Sequence, residues 1–207
     1  MDTEMEAGMD TMDKMNGEAK GMNYFSAMWH VLKIDEEIYK DISARGLAFR
    51  YSTTNMLILG ILYGFFSLYF VDKELFRTFP DPSSVLVAQV IIVLTGILVA
   101  FLMHLGAAFL FWTFCRAMKG EARFIPTYFI LGVAIAPLWI AVPGLTALHA
   151  GWRDPLVYFY VAFTGIYAFS SFFVATKSIF GYSYKKMSIA VAMMLVFTVS
   201  FLGLWLG

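Results

Sequence analysis

The sequence predicts an all-α integral membrane protein. It has five transmembrane helices, a cytoplasmic N-terminus and an outside C-terminus, preceded by an amphipathic interfacial helix. Three observations predict this. Five apolar segments are each long enough to cross a bilayer. None of the fifteen Asp and Glu residues lies inside them. The fifteen Lys and Arg residues gather between the segments, mostly on alternate sides.

Composition sets the bounds. The chain is 60% hydrophobic and 14% charged, with a mean hydropathy of +0.71. A soluble domain is about half apolar and about a quarter charged. Zero net charge gives no case for nucleic acid as a partner. The single cysteine, Cys115, excludes an internal disulfide. The opening residues, Met1-Asp2-Thr3-Glu4-Met5-Glu6, lack the basic-then-apolar order of a signal peptide.

Three regions follow along the chain. Residues 1–23 are predicted to be a disordered acidic, Met-rich tail, because the first 22 carry six acids against Lys14 and Lys20 and no aromatic residue. Residues 24–50 are predicted to be an amphipathic helical region. Phe25, Met28, Trp29 and Leu32 recur at helical spacing. Asp35 reads as an N-cap, followed by Glu36 and Glu37 in the first turn, where the helix dipole favours negative charge. Ile38 and Ile42 continue the apolar stripe, and Gly46 can end the helix. This region either lies on the inner membrane face or a partner, or packs on the protein's own loops.

Residues 51–207 form the predicted membrane domain. A span needs roughly 20 apolar residues. Five segments qualify, at about 54–71, 84–114, 126–143, 155–176 and 187–207. The second is longer than one crossing needs, yet it holds no Pro and no charge, so it reads as one long helix. Twelve basic residues fall before span one, after span two and after span four; three fall on the opposite face. The richer face is the cytoplasmic one. Trp112, Trp152 and Trp205 lie near predicted boundaries, where interfacial anchors sit.

Candidate packing positions are Gly60 and Gly64, a GxxxG pair, with Gly96/Ala100 and Gly132/Ala136 as small-xxx-small pairs. Candidate contacts for lipid or partner proteins are Trp29, Leu32, Ile38 and Ile42 on the amphipathic stripe. The basic loops add Arg116, Lys119, Arg123, Lys185 and Lys186.

His104 is the one strongly ionisable side chain in a span and the intramembrane polar candidate. No Asp, Glu, Lys or Arg stands in the spans to relay a proton with it, which favours a neutral His bonded to a neighbouring helix. His30, His104 and His149 lie at different depths, so no metal site is predicted. Met9, Met12 and Met15 could offer soft ligands to Cu(I), but a plain tail is favoured. Pro137 and Pro143 could open a solute path through span three or make a static kink; the lack of coordinating groups favours the kink. Tyr158, Tyr160, Thr164, Tyr167, Ser170 and Ser171 give span four a polar side, a pore lining or interhelical glue, with glue favoured. Cys115, at the cytoplasmic end of span two, suits S-palmitoylation or an inert buried thiol. No catalytic motif and no cofactor fingerprint is present: Ser183 to Lys186 matches S-x-x-K by letters alone.

Several stretches in order carry a resemblance. The lead-in Trp29-His30-Val31-Leu32-Lys33-Ile34-Asp35-Glu36-Glu37-Ile38-Tyr39-Lys40-Asp41-Ile42 precedes span one. The long second span ends in Lys119-Gly120-Glu121-Ala122-Arg123-Phe124. Span three carries Ala136-Pro137-Leu138-Trp139 and Val142-Pro143, and Gly181-Tyr182-Ser183-Tyr184-Lys185-Lys186 opens the last span. From about Phe25 onward the chain resembles the Yip family, the Ypt/Rab-interacting five-span membrane proteins, and looks closer to its short bacterial members. The Asp-Leu-Tyr-Gly-Pro stretch of eukaryotic members is absent. The resemblance implies a non-enzymatic membrane protein without a cofactor. It would act by interaction with lipid and with other membrane proteins or copies of itself, as a scaffold or an accessory subunit, in a bacterial inner membrane. A small channel or transporter, with a path near spans three and four, is the alternative.

Overall fold

A computed structural model describes residues 23–78, 81–120 and 122–206, with the side chains of 71–76 and 201–206 left undescribed. The predicted tail lies outside the described residues except for Asn23, and so does the Met9–Met15 run. The side chains of Lys73 and Trp205 also lie outside them. The described residues form helices without strands.

Helix α1, Tyr24–Leu32, starts at Asn23, whose side chain accepts from the Ser26 backbone N–H at 2.8 Å. It ends in a Schellman turn: Asp35 N bonds His30 O at 3.1 Å, with Ile34 in the left-handed region at φ 57°. Helix α2, Glu36–Ala44, is capped by Asp35, which accepts from Glu37 N at 3.1 Å. The His30 imidazole, 3.0 Å away, holds the Asp35 carboxyl below its ordinary range. Gly46, at φ 68°, closes α2 and turns the chain into α3. Together α1 and α2 make a helical hairpin.

Helix α3, Ala48–Thr78, has 31 residues. Helix α4, Pro82–Ala117, has 36, about 54 Å at 1.5 Å per residue. Asp81 caps α4 through Ser84 N at 3.0 Å, and Pro82 sits at its first turn, where no donor is lost. Ile91, Leu94, Leu98, Leu102, Leu105 and Phe109 form one exposed stripe along α4. An apolar stripe of that length suits lipid, not water.

Span three is two helices. α5, Phe124–Ala134, and α6, Leu138–His149, meet at 79°. The sequence argued for a kinked helix over 126–143; the structure has a sharp break at 135–137 and a helix that continues through Pro143 to His149. Pro137 explains the break, because it has no N–H to donate and its ring crowds the preceding turn. α7, Pro155–Phe180, is capped by Asp154, which accepts from Leu156 N at 2.7 Å, and ends at Gly181 with φ 59°. α8, Tyr184–Leu206, has 23 residues.

Among the described residues, three helices can cross a membrane by length and composition, in α3, α4 and α7, or four if the bent pair counts as one span. The protein is an all-helical integral membrane protein on these grounds. The hairpin does not stand apart from the bundle. Ala27, Met28, Val31, Ile38, Tyr39 and Ile42 are buried in the same core as α4, α5, α7 and α8.

Candidate functional site

The break between α5 and α6 creates a chemical problem that the rest of the bundle solves. A helical carbonyl accepts from the N–H four residues on. Val133 O should accept from residue 137, which is Pro. Leu138 N turns instead to Ile135 O at 2.8 Å, so Ala134 O loses its donor too. A bare carbonyl away from water costs several kcal/mol in a bilayer.

Two side chains take these carbonyls. Asn55, fully buried on α3, donates through Nδ2 to Gly132 O at 3.1 Å and to Val133 O at 3.0 Å. Ser171, fully buried on α7, donates through Oγ to Ala134 O at 3.1 Å. The Trp139 indole returns from α6 to the Asn55 carbonyl at 3.3 Å. Helices α3 and α7 thus hold both sides of the break.

The hairpin reaches the same two side chains. Tyr24 on α1 donates to Asn55 Oδ1 at 2.5 Å. Tyr39 on α2 lies 2.7 Å from Ser171 Oγ. The Ser171 proton is committed to Ala134 O, so Tyr39 is the donor. Burial pushes both phenols up to about 12, which keeps them as donors throughout the neutral range. Tyr167 on α7 donates to Leu32 O and pins the hairpin turn.

Gly132 sits at the centre of this cluster. A Cβ there would run into the Ser52 side chain and come within 3.2 Å of His104 Nε2. His104 is buried, bonds Tyr128 O at 3.0 Å through Nε2, and lies 4.5 Å from the Tyr128 ring centroid. A carbonyl can only accept, so Nε2 carries the proton. Ser52 Oγ is buried and has no partner among the described residues. The cluster holds amides, hydroxyls and one imidazole, and among the described residues no group of His, Cys, Asp or Glu could hold a metal ion.

The other candidate residues fall in three places. Gly60, Gly64 and Gly96 meet where α3 crosses α4: a Cβ on Gly64 would lie 2.6 Å from Val93 Cα, and one on Gly96 2.8 Å from Gly60 O. Ala100 packs against the core from α4, and Ala136 is buried at the break. Arg116, Lys119, Arg123, Lys185 and Lys186 are exposed at or beside the α4–α5 and α7–α8 loops, with Arg116 in the last turn of α4 and Lys185 and Lys186 in the first turn of α8. Those loops form one unit: Tyr182 OH accepts from Ala122 N at 3.0 Å, and Trp112 donates to Ala122 O at 3.1 Å. On the hairpin, Ile38 and Ile42 turn into the chain's own core, Leu32 is half-buried, and Trp29 is 59% exposed. Phe25 stands beside them at 80% exposed. Cys115 is buried.

Sequence reasoning missed Asn55, Tyr24 and Tyr39. The available signal was an Asn inside a span of a chain that also has a Pro inside another. Five of the six span-four hydroxyls are spent on structure: beside Tyr167 and Ser171, Thr164 and Ser170 bond their own helix at Tyr160 O and Ile166 O, and Tyr160 donates to Ile140 O on α6, while Tyr158 is exposed.

One family model matches the chain, that of the Yip1 domain, over residues 29–207. No curated protein and no solved structure matches it.

Proposed function

Because the chain belongs to the Yip1 domain family, we propose that it is a non-enzymatic integral membrane protein that holds partner proteins or organises lipid, as a scaffold or an accessory subunit of a larger complex. The observation that carries this reading is where the exposed groups stand. Among the described residues the side chains of the cluster at the break bond within the bundle, leaving one hydroxyl, while the hairpin turns Phe25 and Trp29 outward. Aromatic residues standing clear of the chain's own core are the usual anchors of an interface. The linked basic loops add positive charge suited to anionic lipid headgroups.

The rest of the reading is a five-span topology, with α8 as the fifth crossing and the bent pair as the third. The hairpin and basic loops are cytoplasmic, and the membrane is a bacterial inner membrane. The lopsided distribution of Lys and Arg supports this orientation. The bonded hydroxyls of α7 support glue between helices over a conducting path.

The test is extraction of the full-length protein in gentle detergent, followed by native mass measurement. A stoichiometric partner lost on Trp29→Asp is the expected outcome. A monomer that binds no partner, and that passes solute across liposomes, would replace this reading with a transporter.

A further inference from the structure

We propose that the α1–α2 hairpin is a latch on the break in span three, so that displacing the hairpin loosens the break. Two short relays carry the coupling. One runs Tyr24–Asn55–Gly132/Val133 and the other Tyr39–Ser171–Ala134. They arrive through different helices, α3 and α7, yet end on three consecutive carbonyls. Each tyrosine donates to the acceptor oxygen of its relay residue, Oδ1 of Asn55 and Oγ of Ser171. With the tyrosine gone, that oxygen is a buried acceptor without a donor, and the side chain gains by turning away from the break. The Tyr167 bond to Leu32 O fixes the hairpin turn between the two relays.

The hairpin carries polar contacts of its own besides those to the bundle. Its own internal contacts are short-range, from the His30–Asp35 bond to the pairs of Lys40 with Glu36 and Glu37. These travel with it. What joins it to the bundle is the apolar face, the two tyrosine relays and the Tyr167 bond to Leu32 O. Coupling of this kind is reciprocal: what the hairpin does to the break, the break does to the hairpin. The latch goes beyond the partner reading and does not depend on what the hairpin binds.

The experiment uses the full-length protein in nanodiscs, with hydrogen exchange across residues 130–142 and limited trypsin cleavage after Lys33 and Lys40. The reporting amides are Leu138, Trp139 and Ile140, bonded at 2.8, 3.0 and 3.2 Å to carbonyls of the break. In the Tyr24→Phe/Tyr39→Phe variant, exchange there should quicken roughly tenfold. In Ser171→Ala, cleavage in the hairpin should rise by a similar factor. Tyr63→Phe, which removes the 2.7 Å bond to His149 far along α3, should change neither. Unchanged exchange at 130–142 in the double tyrosine variant overturns the latch, whether or not hairpin cleavage rises. If the double variant does not fold, trypsin nicking of the wild-type hairpin replaces it: faster exchange at the break supports the latch, and unchanged exchange sinks it. A wild-type protein that shows this coupling but is extracted without any partner, as a monomer that passes solute, would strike the proposed function alone.

Discussion

Ile34 is a β-branched residue at φ 57°, in the region that favours glycine. It stays there because the Schellman turn ending α1 must lead at once into the Asp35 cap of α2. Such strain costs about 1–3 kcal/mol. Ile34→Gly should therefore raise stability by about 1 kcal/mol, read as a higher thermal midpoint in detergent. Asn55 poses the opposite case. Asn55→Leu keeps the volume but strips two carbonyls and one phenol of their partner, and should cost about 3 kcal/mol by the same measurement. A gain in stability would mean that water reaches the break. Asn55 was not legible in the sequence because its carbonyl partners lie 77 and 78 residues away. A lone polar residue in an apolar run does not say what it faces. The Asp35 cap was legible, because its signal is confined to three neighbouring residues.

Among elements, the α3–α4 crossing depends on absent side chains. Gly60, Gly64 and Gly96 let the two backbones touch, and dispersion between close backbones is a main attraction between helices in lipid. Gly96→Val should wedge them apart and cost about 1–3 kcal/mol, seen as an earlier loss of helicity on titration with a denaturing detergent. Gly165, where a Cβ would meet nothing within 4 Å, is the control: Gly165→Ala should be neutral or slightly stabilising. The pattern of small residues was readable, but which of them touch was not, since glycine spacing marks a face without naming its partner. The break in span three shows the same limit. Pro137 and Pro143 look alike in sequence, yet only Pro137 ends a helix. Donors from α3 and α7 make a full break tolerable there, and those donors are tertiary.

At the scale of the whole molecule, the order of long apolar helices was legible from hydropathy because lipid demands that every backbone group bond within its own segment. The docking of the hairpin into the bundle was not, because an amphipathic stripe buries equally well against lipid or protein. Topology is directly testable: a reporter fused after Gly207 should read outside, and a cytoplasmic signal would require an even number of crossings. The bent pair α5–α6 and the buried stretch of α7 around Ser171 carry no Asp, Glu, Lys or Arg. A transmembrane voltage does work only on charge, about 2.3 kcal/mol per elementary charge per 100 mV. Opening or closing the joint carries no carboxylate, ammonium or guanidinium through that field. The joint therefore offers a transmembrane voltage no charged side chain of its own to act on, and under the proposed latch its handle is the hairpin.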